Sequence, residues 1–333
     1  LTFTRRAAQE MVQRAMHIVE RGTDAVSKVW GGTFHATANR LLRLYAKAAG
    51  LSEDFTVMDQ SDAEDMINVI RQEMDLHKRD KRFPRKGTCL SVYSRCVNGG
   101  EDVNLVLERF FPWCKDWEAE LKELFKRYVA RKQSQNVLDY DDLLLYWSEI
   151  VSDEHLALQI GGRFDHILVD EYQDTNSLQA NILKGMSRAG ARLMAVGDDA
   201  QSIYSFRAAN VRNMFDFPDQ FPGTTVLTLE QNYRSIAPIL ETTNRVIAQA
   251  KDRYTKALWS ERGDGQKPML VTCKDEFQQD EYIVERVLEH YEAGIPLKKQ
   301  AVLFRAAHHS SSLELELTRR NIPYHKYGGL RFL

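Results

Sequence analysis

Two apolar runs that each end abruptly in carboxylates constrain this chain more than any other feature. The first is Ile167-Leu168-Val169-Asp170-Glu171-Tyr172-Gln173-Asp174-Thr175-Asn176; the second is Ala195-Val196-Gly197-Asp198-Asp199-Ala200-Gln201, continuing through Ser202-Ile203-Tyr204-Ser205-Phe206-Arg207. A short apolar run that stops at acids predicts a buried strand whose carboxyl end delivers those acids to a crevice. Between the runs, residues 177–188 place Leu178, Ile182, Leu183 and Met186 at helical spacing. Strand, helix and strand in so short a span form a βαβ unit, so the strands are predicted to be parallel, with their acidic ends side by side. The fold class that follows is α/β.

With 333 residues and a mass of 38.4 kDa, the chain has room for two or three domains with cores of their own. Hydrophobic residues make up 43% and charged residues 28%, a soluble globular balance. No apolar stretch approaches the roughly 18 residues that span a bilayer, and no signal peptide opens the chain, so no membrane partner is expected. Cys89, Cys96, Cys114 and Cys273 show neither C-x-x-C spacing nor a histidine pair to complete a zinc site. They are expected to be reduced thiols of a cytoplasmic protein. A net charge of −2 does not exclude nucleic acid, because positive charge can be confined to one groove.

The chain opens on Leu1-Thr2-Phe3-Thr4, which resembles the end of a strand and suggests that further residues precede it. A helix is predicted from Arg5 to Ala15, and another from the turn at Gly31-Gly32-Thr33 through Tyr45. These make residues 1–45 the first part of an α/β lobe. Residues 46–135 are helical and charged in character, an inserted subdomain. Within it lies the basic run Lys78-Arg79-Asp80-Lys81-Arg82-Phe83-Pro84-Arg85-Lys86, read as a solvated loop with phosphate contact as the alternative. Residues 136–229 return to the α/β pattern, with a buried strand expected at 226–229. Residues 230–333 read as the start of a second α/β lobe. Helices are expected there at 281–291 and 313–319, with a strand at 301–304.

Adjacent acids at a strand end point in different directions and can divide labour. Of Asp170 and Glu171, one can hold Mg²⁺ while the other orients and deprotonates a water. Phosphoanhydride hydrolysis needs that division, since its catalysis is largely positioning and charge neutralisation. The Gln201 amide can donate to a terminal phosphate while accepting from water. Tyr204, Phe206 and Arg207 follow on one short loop and suit a platform on which single-stranded bases stack, the alternative being aromatics folded into the core. In Leu229-Glu230-Gln231-Asn232-Tyr233-Arg234-Ser235, Tyr233 can stack on a purine and Arg234 can reach a γ-phosphate; a structural salt bridge at a helix start is the plainer reading.

Taken together, Thr2-Phe3-Thr4, Thr33-Phe34-His35, Tyr140-Asp141-Asp142-Leu143-Leu144, the two acid-ending segments, Leu229 to Ser235 and Gly328-Gly329-Leu330-Arg331-Phe332 resemble the UvrD/PcrA/Rep family of superfamily 1 DNA helicases, in family order along the whole chain. The resemblance implies RecA-like parallel-sheet lobes, ATP and Mg²⁺ as cofactors, and 3′-to-5′ movement on single-stranded DNA with unwinding at single-strand/duplex junctions. It implies that Asp170 binds Mg²⁺, Glu171 activates water, and Gln201 senses the γ-phosphate. It further implies that Tyr233 stacks on adenine and Arg234 contacts the γ-phosphate, while Phe3, Thr4, Arg5, His35, Tyr204, Phe206, Arg207 and Arg331 fall in motifs that line the DNA track.

This sequence departs from the family pattern at Ala200, Ser205, Phe206 and Ala208, where the family more often has an acid, a glycine, a tryptophan and a glycine. No G-x-x-x-x-G-K-[ST] phosphate loop occurs. The resemblance implies that this loop lies upstream of Leu1 and that further motifs follow Leu333, so residues 1–333 alone are expected to hydrolyse little ATP. Two rival readings are the motor of a recombination helicase–nuclease and a non-catalytic DNA-binding module of helicase fold. Intact Asp170, Glu171, Gln201 and Arg234 weigh against the second.

Overall fold

A computed structural model describes residues 1–18, 29–78 and 81–327. Helix α1 (Arg5–Ile18) begins where the Thr4 hydroxyl accepts from Ala7 N–H at 3.1 Å. Helix α2 (Phe34–Leu44) is capped by Thr33, which accepts from Ala36 N–H. Strand β1 (Thr56–Val57) leads to α3 (Gln60–Glu73), α4 (Lys86–Gly99), α5 (Val103–Phe110) and α6 (Glu118–Ser134). Strand β2 (Val137–Leu138) then pairs in parallel with β1, joining the chain on either side of these helices. Helices α7 (Tyr140–Ile150) and α8 (Glu154–Gly161) precede strand β3 (His166–Val169), helix α9 (Ser177–Met186) and strand β4 (Arg192–Ala195). Short helices α10 (Arg212–Phe215) and α11 (Phe217–Gln220) follow, then α12 (Ala237–Ile247), α13 (Glu276–Glu292) and α14 (Ser311–Arg319).

The βαβ unit forms as its pattern predicts: β3 and β4 are parallel, with Ile167 opposite Leu193 and Val169 opposite Ala195. Leu1 runs along the other edge of β3. Its nitrogen donates to the Leu168 carbonyl at 2.6 Å, and its carbonyl accepts from Asp170 N–H at 2.9 Å. Thr2 in turn bridges in parallel to Thr33. The expectation of a buried strand needs correction on one face. Ile167 and Val169 pack inward beneath α9, whereas Leu168 is 51% exposed and Met194 58%. The apolar run specified the strand but not what covers its second face.

Two further expected strands do not form. Residues 226–229 and 301–304 form no regular secondary structure and have no ladder partners, and Leu227, Leu229 and Leu303 are exposed. An apolar run supplies only one side of a ladder, and parallel pairing depends on a neighbour distant in sequence. Among the described residues the sheets are therefore small and the architecture is α/β with a high helical content.

The chain divides into two compact units, residues 1–229 with 247–256, and residues 230–246 with 257–333. In the first, one core gathers Leu41 and Leu42 of α2, Leu143, Leu144 and Trp147 of α7, Val169, and Ile182 and Leu183 of α9. A separate core holds α3 to α6 together through Ile67, Ile70, Val92, Leu107, Leu121, Leu124 and Tyr128. In the second unit Val284 of α13 packs on Leu313 and Leu317 of α14.

Lys132 ends α6 buried beside β2, donating to Asp139 at 2.7 Å, Asp142 at 2.6 Å and the Tyr93 hydroxyl at 3.2 Å. Asp139 and Asp142 also form the capping box that starts α7. In the basic run, Lys78, Lys81 and Lys86 pair with Asp75, Asp116 and Asp65, and Phe83 is buried against Trp117. That favours the solvated-loop reading; Arg79 and Asp80 lie outside the described residues. Cys89, Cys96, Cys114 and Cys273 are free thiols, and burial pushes Cys89 up to about 12. No helix among the described residues is long and apolar enough to cross a membrane.

Candidate functional site

The carboxyl ends of β3 and β4 bring the two acidic segments together. As β3 ends, Glu171 takes a left-handed backbone conformation with φ 54°, turning the chain into a short 3₁₀ turn at Tyr172–Asp174. For a residue with a Cβ this conformation costs about 1–2 kcal/mol, so its surroundings must hold it. Two bonds do so: Tyr172 N–H donates to the Val196 carbonyl at 2.9 Å, and Asp174 N–H donates to the Glu171 carbonyl at 3.0 Å.

Gln173 is the hub of the arrangement, and sequence reasoning gave it no role. It is 1% exposed. Its Nε2 donates to Glu171 Oε2 at 2.7 Å, while its Oε1 accepts from Asp198 N–H at 2.9 Å. The second contact requires Gly197, because a Cβ there would stand 2.9 Å from Gln173 Oε1 and 3.2 Å from Met214 Sδ. Asp198 Oδ2 then accepts from Gln201 Nε2 at 2.8 Å. Glu171, Gln173, Asp198 and Gln201 thus form one hydrogen-bonded path across the strand ends. The Asp170 carboxylate accepts no hydrogen bond among the described residues, which leaves oxygen ligands for a hard cation such as Mg²⁺. No group of three or more such ligating side chains occurs among the described residues; Mg²⁺ ordinarily needs only one or two carboxylates beside substrate phosphates.

Electrostatics differ among the acids. Burial, reinforced by Glu171, raises the Asp174 carboxyl to about 6. Burial works against charge on Asp198 as well, but hydrogen bonds from Lys256 and Gln201 hold it below the usual carboxylate range.

Beyond Gln201 the aromatic residues line up. The rings of Phe3 and Tyr204 lie 5.0 Å apart, and those of Tyr204 and Phe206 lie 5.8 Å apart. Phe206 is 61% exposed, which corrects the alternative of aromatics folded into the core. The α4 residue Arg95 supports this loop by donating to the Ser205 carbonyl while its guanidinium stacks 3.6 Å from the Phe110 ring centre. Ala208 adopts φ 62°, the left-handed region that the family's more usual glycine occupies at lower cost. Thr4 caps α1 and Arg5 is exposed at its first turn. His35 stands 5.9 Å from the Tyr140 ring, and burial lowers it to about 4, so it is neutral at physiological pH.

A polar relay fastens these elements from behind. Asp141 accepts from Asn98 Nδ2 at 2.6 Å, and Asn98 Oδ1 accepts from Asn176 Nδ2 at 2.7 Å. Asn213 Nδ2 donates to the Thr175 and Asn176 carbonyls. Tyr140-Asp141-Asp142 and the end of the first acidic segment are thereby tied through α4, a link that sequence spacing could not reveal.

Tyr233 and Arg234 lie in the second compact unit, both exposed. Asn232 Oδ1 accepts from the N–H groups of Arg234 and Ser235 at 2.9 and 2.7 Å, forming the turn. Arg262 braces it by donating to the Arg234 carbonyl at 2.7 Å. The Arg207 side chain, Arg331 and the rest of Gly328–Phe332 lie outside the described residues.

Residues 1–222 match the UvrD/REP helicase N-terminal domain, and residues 227–333 match the UvrD-like helicase C-terminal domain. Across its whole length the chain is 35% identical to DNA helicase II of Haemophilus influenzae and 32% identical to DNA helicase II of Escherichia coli, covering 45% of each. It is 30% identical to the ATP-dependent DNA helicase PcrA of Staphylococcus epidermidis, covering 44% of that protein. The chain therefore spans less than half the length of these relatives. With the two domain models matched over residues 1–222 and 227–333, and the acid-ended βαβ unit in place, the chain belongs to the UvrD-like helicase family.

Proposed function

We propose that this chain forms part of the motor of a cytoplasmic, ATP-dependent DNA helicase that moves 3′ to 5′ along single-stranded DNA and unwinds duplex at junctions. Residues 1–45 and 136–229 would make the first RecA-like lobe, 46–135 its helical insertion, and 230–333 the start of the second lobe. The observation that carries the reading is the path Glu171–Gln173–Asp198–Gln201, followed directly by the Phe3–Tyr204–Phe206 ring series. It supports a physical connection between a site for phosphate chemistry and a surface for stacking bases.

In this reading Asp170 would hold Mg²⁺, which when bound neutralises phosphate charge. Glu171, oriented by Gln173, accepts the proton of the attacking water, and Gln201 donates its amide to the terminal phosphate. Tyr233 stacks on the adenine and Arg234 approaches the γ-phosphate. Phe3, Tyr204 and Phe206 stack on bases, and Thr4, Arg5, Arg207 and Arg331 are assigned to the DNA track by the motifs in which they fall. His35, being neutral, contributes stacking or a hydrogen bond and no ion pair.

In the full-length protein, Glu171→Gln is expected to abolish ATP turnover while nucleotide binding stays measurable by fluorescence titration. Near-normal turnover would overturn the assignment of the base.

A further inference from the structure

Lys256 has no part in the roles above, yet it occupies the centre of the second acidic segment. It ends residues 247–256, a stretch that belongs to the first compact unit although the chain on both sides of it belongs to the second. The Lys256 ammonium donates to Asp198 Oδ1 and, at 2.8 Å, to Asp199 Oδ1. The Lys256 side chain is 13% exposed and that of Asp199 only 3%. The same stretch is fastened beside these acids by Tyr254. Its N–H donates to Asp199 Oδ2 at 3.1 Å, its hydroxyl donates to the Met214 carbonyl at 2.9 Å, and its ring packs 5.3 Å from Phe215.

One carboxylate therefore serves three partners. Asp198 Oδ1 takes Lys256 and, at 3.1 Å, the Ala200 N–H, and Asp198 Oδ2 takes the Gln201 amide. Neighbouring hydrogen bonds on one group polarise each other, so the ammonium and the N–H on one oxygen together fix the carboxylate plane, and the ammonium draws charge away from the other oxygen. Without that cation the partly buried Asp198 and the buried Asp199 would lose their shared counter-charge, and Asp198, held on Oδ1 by the Ala200 N–H alone, would turn away or grip Gln201 harder.

We propose that Lys256 is a positioning residue which, through Asp198, sets the orientation and availability of the Gln201 amide, and with it the response of ATP hydrolysis to DNA. This rests on the reading of Gln201 as the phosphate sensor. The cation arrives on a stretch flanked on both sides by chain of the second unit, so the sensor's setting is tied to how that stretch is seated.

The test uses the full-length protein, with steady-state ATP hydrolysis measured with and without oligo-dT. Lys256→Met is expected to lower the DNA-stimulated kcat about tenfold with KM for ATP changed less than about twofold, and Lys256→Arg to restore most of the loss. Because Lys256 acts through Gln201, adding Lys256→Met to Gln201→Ala should lower kcat no further. Unchanged stimulation in Lys256→Met, or losses that multiply in the double variant, would overturn the proposal while the sensor role of Gln201 stands. Normal stimulation in Gln201→Ala would remove the sensor reading, and this proposal with it. Should Lys256→Met fail to fold, Asp198→Asn keeps the side chain's shape and breaks the same link; full stimulation in that variant would equally overturn the proposal.

Discussion

Replacing Gln173 by methionine tests the centre of the site, because the substitution keeps length and volume and removes both polar contacts. The side chain is 1% exposed, so water cannot replace what is lost. Its bond to the Glu171 carboxylate, at 2.7 Å, is charge-assisted and contributes about 1.5–3 kcal/mol. Its bond from Asp198 N–H, at 2.9 Å, contributes about 1 kcal/mol, and that partly buried N–H is left without its acceptor. Glu171 is half-buried and recovers some hydration, so the net cost is about 2–4 kcal/mol. Urea unfolding at pH 7.5 should show it as a lower midpoint at constant m value. Gln173→Glu separates the two contacts. It still accepts from Asp198 N–H but sets a second carboxylate against Glu171, so its deficit should shrink as pH falls toward about 4. In the full-length protein Gln173→Met should lower kcat for ATP more than it raises KM, since it frees the proposed base without touching nucleotide. An unfolding free energy within about 0.5 kcal/mol of wild type would refute the hub argument.

Two further outcomes follow from the same geometry. Asp174 has a folded-state value raised to about 6, so its contribution to stability is full below the ordinary carboxylate value and is lost as pH rises through about 6. Asp174→Asn removes that dependence and should gain about 1–2 kcal/mol on wild type at pH 7.5 but little at pH 4, by unfolding at both; a pH-independent difference would contradict the burial argument. Phe206→Ala should weaken binding of a fluorescent single-stranded oligonucleotide by about 1–3 kcal/mol, and an unchanged affinity would remove Phe206 from the stacking surface.

The parts of the fold legible in the sequence are those encoded locally. The βαβ unit was readable because its strands end in acids and its helix carries its own period and capping box, Asn176 with Gln179. Helices α2, α7 and α9 start at Thr33, Asp139 and Asn176, side chains that satisfy the first free N–H groups. The strands expected at 226–229 and 301–304 were not secure, because β structure is a property of a pair and the pattern names only one member. The exposed face of Leu168 and Met194 has the same origin. Within the site, Asp170, Glu171 and Gln201 stood out through residue type and position at a strand end. Gln173, Asn98, Arg95, Arg262 and Lys256 did not, since each matters through a partner brought by folding. Lys256 is 58 residues from Asp198 in sequence, and Arg95 is 110 from Ser205.

Arg95 and Asn98 share a physical task. On the proposed reading, a surface that stacks bases can report to a phosphate site only if the connecting backbone is stiff enough to move as one piece. The loop from Ser202 to Ala208 has little core of its own, with Ile203 and Phe206 exposed. Its stiffness comes from outside. Arg95 holds the Ser205 carbonyl, Phe3 backs Tyr204, and Asn210 N–H donates to the Thr175 carbonyl at 2.9 Å, returning the chain to the first acidic segment. Asn98 and Asn176 close the ring through α4. The helices inserted between β1 and β2 are thus part of the frame that keeps the aromatic loop and the acids in register. By that argument a substitution in α4 that leaves its core intact, at Arg95 or Asn98, acts on the same loop as one at Phe206, although neither residue belongs to a motif recognisable in the sequence.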